Sequence, residues 1–226
     1  MPAMSPAPSP APEATRARIL DVAERLVQTR GFNGFSYADV ALEVGITKAS
    51  LHYHFATKAE LGRVLVLRYS ESFGTALAGI AAGSRDAQQR LRDYVSLYAR
   101  VLADQRMCLC GMVAAEYATL PPPMQAALRA FFELNEGWLT AQIEQGVHAG
   151  RLSSRLSPTD AARMLVGALE GEMLVARAYG DASRFESASR LLLAQLLEAD
   201  SAPPTRRARK PARRNAARAS RARRRG

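Results

Sequence analysis

Between residues 13 and 198, large apolar residues recur every three or four positions with polar residues between them. That is the period of an amphipathic helix, whereas strands would alternate every second residue. Breaks in the pattern predict nine helices over 13–30, 37–44, 48–55, 58–82, 85–104, 108–119, 122–149, 158–179 and 183–198. Capping signals support the starts: Ser36-x-x-Asp39, Thr57-x-x-Glu60 and Ser183-x-x-Glu186 have capping-box spacing, and Ser157 precedes a first-turn proline. Gly31, Gly45, Gly83, Gly150 and Gly180 fall where the periodicity stops, as helix-ending glycines do. Alternating β-branched runs and internal repeats are absent, so the expected class is all-α.

The first three helices are short and closely spaced. Ile19, Val22, Ala23, Leu26 and Val27 form the apolar face of the first, and Val40, Ala41 and Val44 that of the second. Gly45-Ile46-Thr47 then makes a three-residue turn into a two-turn helix anchored by Leu51 and Phe55. A short helix following a glycine turn is the helix-turn-helix layout, spanning Phe35 to His54 here. Lys48, Ser50, His52, Tyr53 and His54 project from its last helix, and a cation, a hydroxyl, imidazoles and a phenol all suit phosphates or base edges. His52 and His54 lie about 200° apart on a helix, which argues against a shared metal, and no metal or cofactor is expected.

Charge divides the chain unevenly. The formal net charge is +10, yet no acidic residue follows Asp200, while Arg206, Arg207, Arg209, Lys210, Arg213, Arg214, Arg218, Arg221, Arg223, Arg224 and Arg225 do. Setting these eleven aside, residues 1–200 hold 20 basic and 21 acidic side chains, so the tail points to a polyanion. Expected disorder at both ends gives four segments: an arm over 1–12, the three-helix domain over 13–56, a larger helical domain over 57–200 and a basic tail over 201–226. No apolar run reaches the ~18–20 residues of a membrane span, and the proline-rich start lacks the parts of a signal peptide. Only two cysteines occur, Cys108 and Cys110, which excludes a disulfide framework and suits a reducing compartment. A cytoplasmic, nucleoid-associated protein is expected.

The stretch Phe35-Ser-Tyr-Ala-Asp-Val-Ala-Leu-Glu-Val-Gly-Ile-Thr-Lys-Ala-Ser-Leu-His-Tyr-His-Phe-Ala-Thr-Lys-Ala-Glu-Leu61 resembles the DNA-binding domain of TetR-type regulators. The shared pattern is a hydroxyl residue opening the second helix, an apolar-Ala pair, Gly-apolar-Ser/Thr, Leu-Tyr-x-His/Tyr-Phe and x-x-Lys-x-x-Leu. The resemblance implies that Lys48, Ala49, His52 and Tyr53 face base edges. It likewise implies that Ser36, Tyr37, Ser50, His54 and Lys58 hold the DNA backbone, Lys58 together with a helix N-terminus gripping a phosphate, and Thr47 is a further candidate DNA-binding residue. His52 stands where the family usually has Tyr.

The same resemblance implies that the larger domain binds a small-molecule effector and pairs through its last two helices. Leu165, Leu169, Leu192 and Leu196 are the candidate interface residues of a homodimer. Candidate pocket residues are Tyr98, Met107, Cys108, Cys110, Met112, Glu116, Tyr117, Phe131, Phe132, Trp138, Met164, Glu170 and Met173, an apolar set with a few polar groups. Met107-Cys-Leu-Cys-Gly-Met-Val-Ala-Ala-Glu116 is similar to a segment in a branch of that family responding to acrylate-like and other electrophiles, so a reactive thiol is one expectation and an inert buried one the other. The function expected is a transcription regulator, a repressor released from operator DNA by a ligand. An architectural, largely non-specific DNA binder driven by the tail is the alternative. An enzyme is not expected, because no catalytic triad, phosphate loop or metal spacing occurs.

Overall fold

The structure, a computed structural model, describes residues 12–197; the arm before it and the basic tail lie outside the described residues. Those residues form nine α-helices: α1 (Pro12–Arg30), α2 (Tyr37–Val44), α3 (Lys48–His54), α4 (Lys58–Gly83), α5 (Ala87–Ala103), α6 (Leu109–Ala115), α7 (Pro122–His148), α8 (Pro158–Tyr179) and α9 (Ala182–Leu197). No strand occurs among them.

Local chemistry explains the boundaries. Ser36 and Asp39 close a reciprocal capping box at α2, with the Ser36 N–H donating to Asp39 Oδ2 at 2.7 Å. Thr57 Oγ1 accepts from the Glu60 N–H and Ser157 Oγ from the Asp160 N–H, each at 3.1 Å. Gly45 ends α2 at φ +75°, a left-handed conformation that costs glycine nothing, and its N–H and that of Ile46 both reach the Ala41 carbonyl. Two expectations need correction. Asp181, not Ser183, caps α9, its carboxylate taking the Ser183 N–H at 2.9 Å, because aspartate one residue ahead of the helix reaches that donor directly. The sixth helix ends at Ala115 instead of 119, and a 3₁₀ turn covers Tyr117–Thr119, Glu116 breaking the α pattern between them.

One core runs through the described residues. Ile19, Leu26, Val40, Leu51 and Phe55 fill the three-helix end, and α4 carries the core onward through Leu61, Leu65, Tyr69, Phe73 and Leu77. Leu91, Tyr94 and Tyr98 of α5, Phe131, Leu139 and Ile143 of α7, and Leu165, Leu169 and Met173 of α8 complete it, with Phe185 of α9 sealing the far side. Helix α4 therefore belongs to both parts, and α6 lies between α1 and α7 where the two parts meet.

Candidate nucleic-acid interface and effector site

Helix α3 is held by its inward residues, Leu51 and Phe55 both being fully buried. Its outer surface carries Lys48 and Ala49, both exposed, half-buried Ser50, and Tyr53, whose side chain is 81% exposed. A tyrosine so exposed beside a cation is the side chain most free to meet a partner surface. His52 is exposed with Nδ1 3.1 Å from the Ala56 carbonyl. A carbonyl only accepts, so Nδ1 is the donor in this contact. His54 packs edge-on against Tyr53, with 5.3 Å between ring centroids.

Four of the expected residues also have structural work. Thr47 caps α3 by accepting the Ser50 N–H at 3.1 Å, and Ser36 caps α2. Tyr37 donates its hydroxyl to the Phe55 carbonyl at 2.9 Å, bracing the end of α3, and burial with nearby Glu60 pushes its pKa up to about 12. Lys58 reaches back to the Phe35 carbonyl and lies over the rings of Phe32 and Phe35, 4.7 and 4.3 Å from their centroids. Desolvation lowers its pKa, opposed by Glu116 and Asp39. An ammonium has three donors, so the Phe35 carbonyl leaves others unused.

The expected pocket residues separate into two groups. Tyr98, Met107, Cys108, Cys110, Phe131 and Met173 are buried, Phe132 and Trp138 pack on them, and Glu170 turns its carboxylate inward until Oε1 is sealed from solvent without a hydrogen-bond partner. Tyr69, Phe73, Tyr94 and Asn135, absent from the expected set, join this group. The Tyr94 hydroxyl donates to Asn135 Oδ1 at 2.9 Å and meets the Tyr98 hydroxyl at 3.2 Å. The Tyr69 hydroxyl points at Cys108 Sγ, 3.9 Å away. Spacing alone held a clue, since Tyr94 lies four residues before Tyr98, and Tyr69 four before Phe73. Burial pushes the Glu170 carboxyl up to about 7, the Cys108 thiol countering slightly. Burial and the Glu170 charge drive both thiols well above their usual range. Such burial disfavours the thiolate form that reaction with electrophiles requires.

Met112, Glu116, Tyr117 and Met164 sit elsewhere. Met164 is 45% exposed on the outer side of α8, and exposed Tyr117 accepts from Arg129 at 2.6 Å. Glu116 faces the three-helix end, where its Oε2 accepts the Asn33 N–H at 2.9 Å, and Asn33 Nδ2 donates to Thr119 Oγ1 at 2.8 Å. Met112 is contacted by Arg177 of α8, which also donates to the Thr29 carbonyl at the end of α1. The Met107 N–H donates to the Gln28 carbonyl at 3.1 Å. These bonds fasten α6 and its flanks to the head. A cleft of about 470 Å³ opens between α4 and α5 near Ile80, Leu97 and Arg100, away from the expected pocket residues.

Two of the expected interface residues lie in the core of the single subunit. Leu165 and Leu169 are 1% and 0% exposed within a single subunit, facing α7 and α9 across the core. Apolar residues and glycines facing outward on α8 include Met164, Gly167, Gly171, Leu174 and Val175, and on α9 Leu191, which is 65% exposed. Leu192 is half-buried, and the side chain of Leu196 lies outside the described residues.

A glycine-turned pair of short helices presenting polar side chains, joined by one core to a larger helical bundle, defines a helix-turn-helix DNA-binding regulator. Comparison with known proteins agrees. Residues 19–63 match the family described as "Bacterial regulatory proteins, tetR family", and residues 87–192 match "Tetracyclin repressor-like, C-terminal domain". A TetR family transcriptional regulator from Agrobacterium tumefaciens superposes with a TM-score of 0.80 at 33% identity, over 83% of this chain and 100% of that one. A TetR transcriptional regulator from Legionella pneumophila does so at 0.74 and 28%, over 85% of this chain and 100% of that one. Among curated proteins, the HTH-type transcriptional regulator TtgR of Pseudomonas putida is 39% identical over 54 residues, 24% of this chain and only 26% of that protein. The chain belongs to the TetR family of transcriptional regulators. Among the described residues, no helix is long and apolar enough to cross a membrane, and no group of three or more His, Cys, Asp or Glu is placed to hold a metal.

Proposed function

We propose that this regulator is a dimeric repressor that a small-molecule effector releases from its operator. The observation that supports release is the position of α6. A Cβ on Gly111 would collide with the Glu170 carboxylate, so α6 lies directly on the buried polar cluster. The residue ending that same helix, Glu116, holds the Asn33 backbone just ahead of α2. An effector that displaces Glu170 therefore displaces an element bonded to the reading head. It acts on DNA binding only if it favours the DNA-incompetent arrangement.

The outer face of α8 supports pairing. Met164, Gly167, Gly171 and Leu174 follow each other at three- and four-residue steps, an apolar seam whose glycines have no heavy atom near a would-be Cβ. A two-fold dimer presents two α3 helices to half-sites one helical turn, about 34–36 Å, apart. Within each head, Lys48, Ala49, His52 and Tyr53 read base edges, while Ser36, Tyr37, Thr47, Ser50, His54 and Lys58 position the backbone. Footprinting and transcription in vitro on the DNA upstream of its own gene test this. A discrete two-half-site footprint with lowered transcription is expected, and uniform coating of DNA would establish the architectural alternative instead.

Lys58→Ala supplies a second check. The salt slope of binding should flatten by about one on operator and random DNA alike, because one phosphate contact is lost. The same change should cost roughly 1–2 kcal/mol of stability through the lost Phe35 bond and ring contacts. An unaltered salt slope would leave Lys58 as a structural strut only.

A further inference from the structure

We propose that the eleven cations between Arg206 and Arg225 form a second DNA-binding element, one that grips the phosphate backbone of duplex DNA and supplies affinity without choosing sequence. The proposal goes beyond the effector-release and dimer readings and depends on neither.

The charge of the described head carries the first part of it. Residues 12–63 hold seven lysines and arginines against six aspartates and glutamates, a net of +1. Much of that positive charge is already engaged within the fold. Arg18 donates to the Val44 carbonyl at 2.8 Å, Arg25 pairs with Glu43, and Lys58 donates to the Phe35 carbonyl. Helix α3 carries Lys48 and no other lysine or arginine. A DNA binder draws its electrostatic affinity from lysines and arginines that neutralise phosphates, on the order of six to ten of them. This head has few to offer.

The tail has what the head lacks. Residues 201–226 hold eleven cations and no acidic residue, and the other fifteen are Ala, Pro, Ser, Thr, Asn and Gly. No aromatic ring stands there to stack on an unpaired base, and no large apolar side chain to dock and hold a guanidinium in register with a base edge. What remains is charge, and the partner that charge fits is a duplex backbone, with one phosphate per roughly 1.7 Å of axis. The rest of the chain is no rival partner, since residues 1–200 carry 20 basic and 21 acidic side chains and have almost no excess negative charge. Geometry permits the contact. The cations stand 9 to 28 residues beyond Leu197, the last residue of α9. That is a tether of roughly 30 to 95 Å at full extension, against a width of about 45 Å for a folded domain of this size. DNA held by α3 is therefore within reach, and its nearness raises the effective concentration of phosphate at the tail.

Each phosphate neutralised adds about −0.9 to the slope of log affinity against log salt. With only four of the eleven cations engaged, the advantage the tail confers should shrink roughly 150-fold between 50 and 200 mM salt. The test compares the full chain with a full-length variant in which all eleven are glutamine, on the DNA upstream of its own gene and on a random duplex of equal length. The variant should bind both duplexes more weakly by the same factor, at least about a hundredfold at 50 mM salt, with each slope flattened by at least about three. Its footprint, helicity and sedimentation should match wild type, because the substitutions lie beyond the core that packs α1 to α9. A second variant shuffles the order of residues 201–226 and keeps every charge, so it should retain both affinity and slope. An unchanged slope in the glutamine variant, a loss confined to the upstream DNA, or a shuffled chain that behaves like the glutamine variant would overturn the proposal. So would tighter tail-dependent binding to single-stranded RNA than to duplex DNA of equal length, which would assign the tail to RNA. A flattened slope with no discrete footprint from either protein would retain the tail contact and refute the operator reading instead.

Discussion

Leu174→Arg is expected to give a folded monomer that has lost operator binding. Leu174 is 51% exposed in the single subunit, so an arginine there stays solvated and should leave helicity and the melting transition of the subunit unchanged. In the proposed dimer the same position lies on the α8 seam, one turn from Gly171, and each of two symmetric arginines becomes a buried, unpaired charge costing several kcal/mol. With every 1.4 kcal/mol worth a factor of ten, the dimerisation constant should fall by at least about a hundredfold. Operator affinity should fall in parallel, because one head then binds one half-site. Leu169→Arg provides the contrast: Leu169 is fully buried inside the subunit, so that charge should unfold the chain. Sedimentation velocity reads both. A dimeric Leu174→Arg protein would place the interface on another face.

The second large effect concerns stability against pH. The Glu170 carboxyl rises from 4.5 to about 7 on folding, chiefly because burial penalises its charged form. Below 4.5 the group is protonated in folded and unfolded chains alike, and its contribution is fully present. Between 4.5 and 7 the folded state retains a proton that the unfolded chain has released. Stability is therefore lost progressively as pH rises through about 7, where the folded protein must bury the charge. Taken to completion the loss is about 3 kcal/mol. Glu170→Gln holds no such charge, so chemical denaturation between about pH 5 and 8 should show a flatter profile than wild type and a more stable protein at the alkaline end. Parallel profiles for the two proteins would mean that the carboxylate is solvated when charged.

Much of the head was legible from residue order. Ser36 and Asp39 are three apart, Thr47 and Ser50 are three apart, and Gly45 needs only its own φ, so each of these features is settled within one helical turn. The same locality explains why eight of the nine described helices could be placed to within two residues. It also explains the slip at α9, where Asp181 and Ser183 are both good caps and their competition is decided by geometry at a single donor. The outward positions of α3 were legible too, because they follow from its inward anchors, Leu51 and Phe55.

The effector half was legible as helices but not as surfaces. Helix α8 is apolar almost all round, and a period of 3.6 cannot say which of two apolar stripes is turned inward. Packing against α7 and α9 selected Leu165, Leu169 and Met173 for the core and left Met164, Gly167, Gly171 and Leu174 outside. Glu116 and Glu170 look alike in sequence, single carboxylates in apolar stretches. One reaches a backbone N–H 83 residues away, and the other is enclosed with an unpartnered oxygen against Gly111. By itself, then, the sequence determined the all-α class, most of the helices and most of their caps, all set by contacts within a turn or two of chain. Which apolar face is core, which carboxylate ties α6 to the head and which is turned inward against Gly111 were decided only by tertiary packing, because each depends on partners brought together from distant helices.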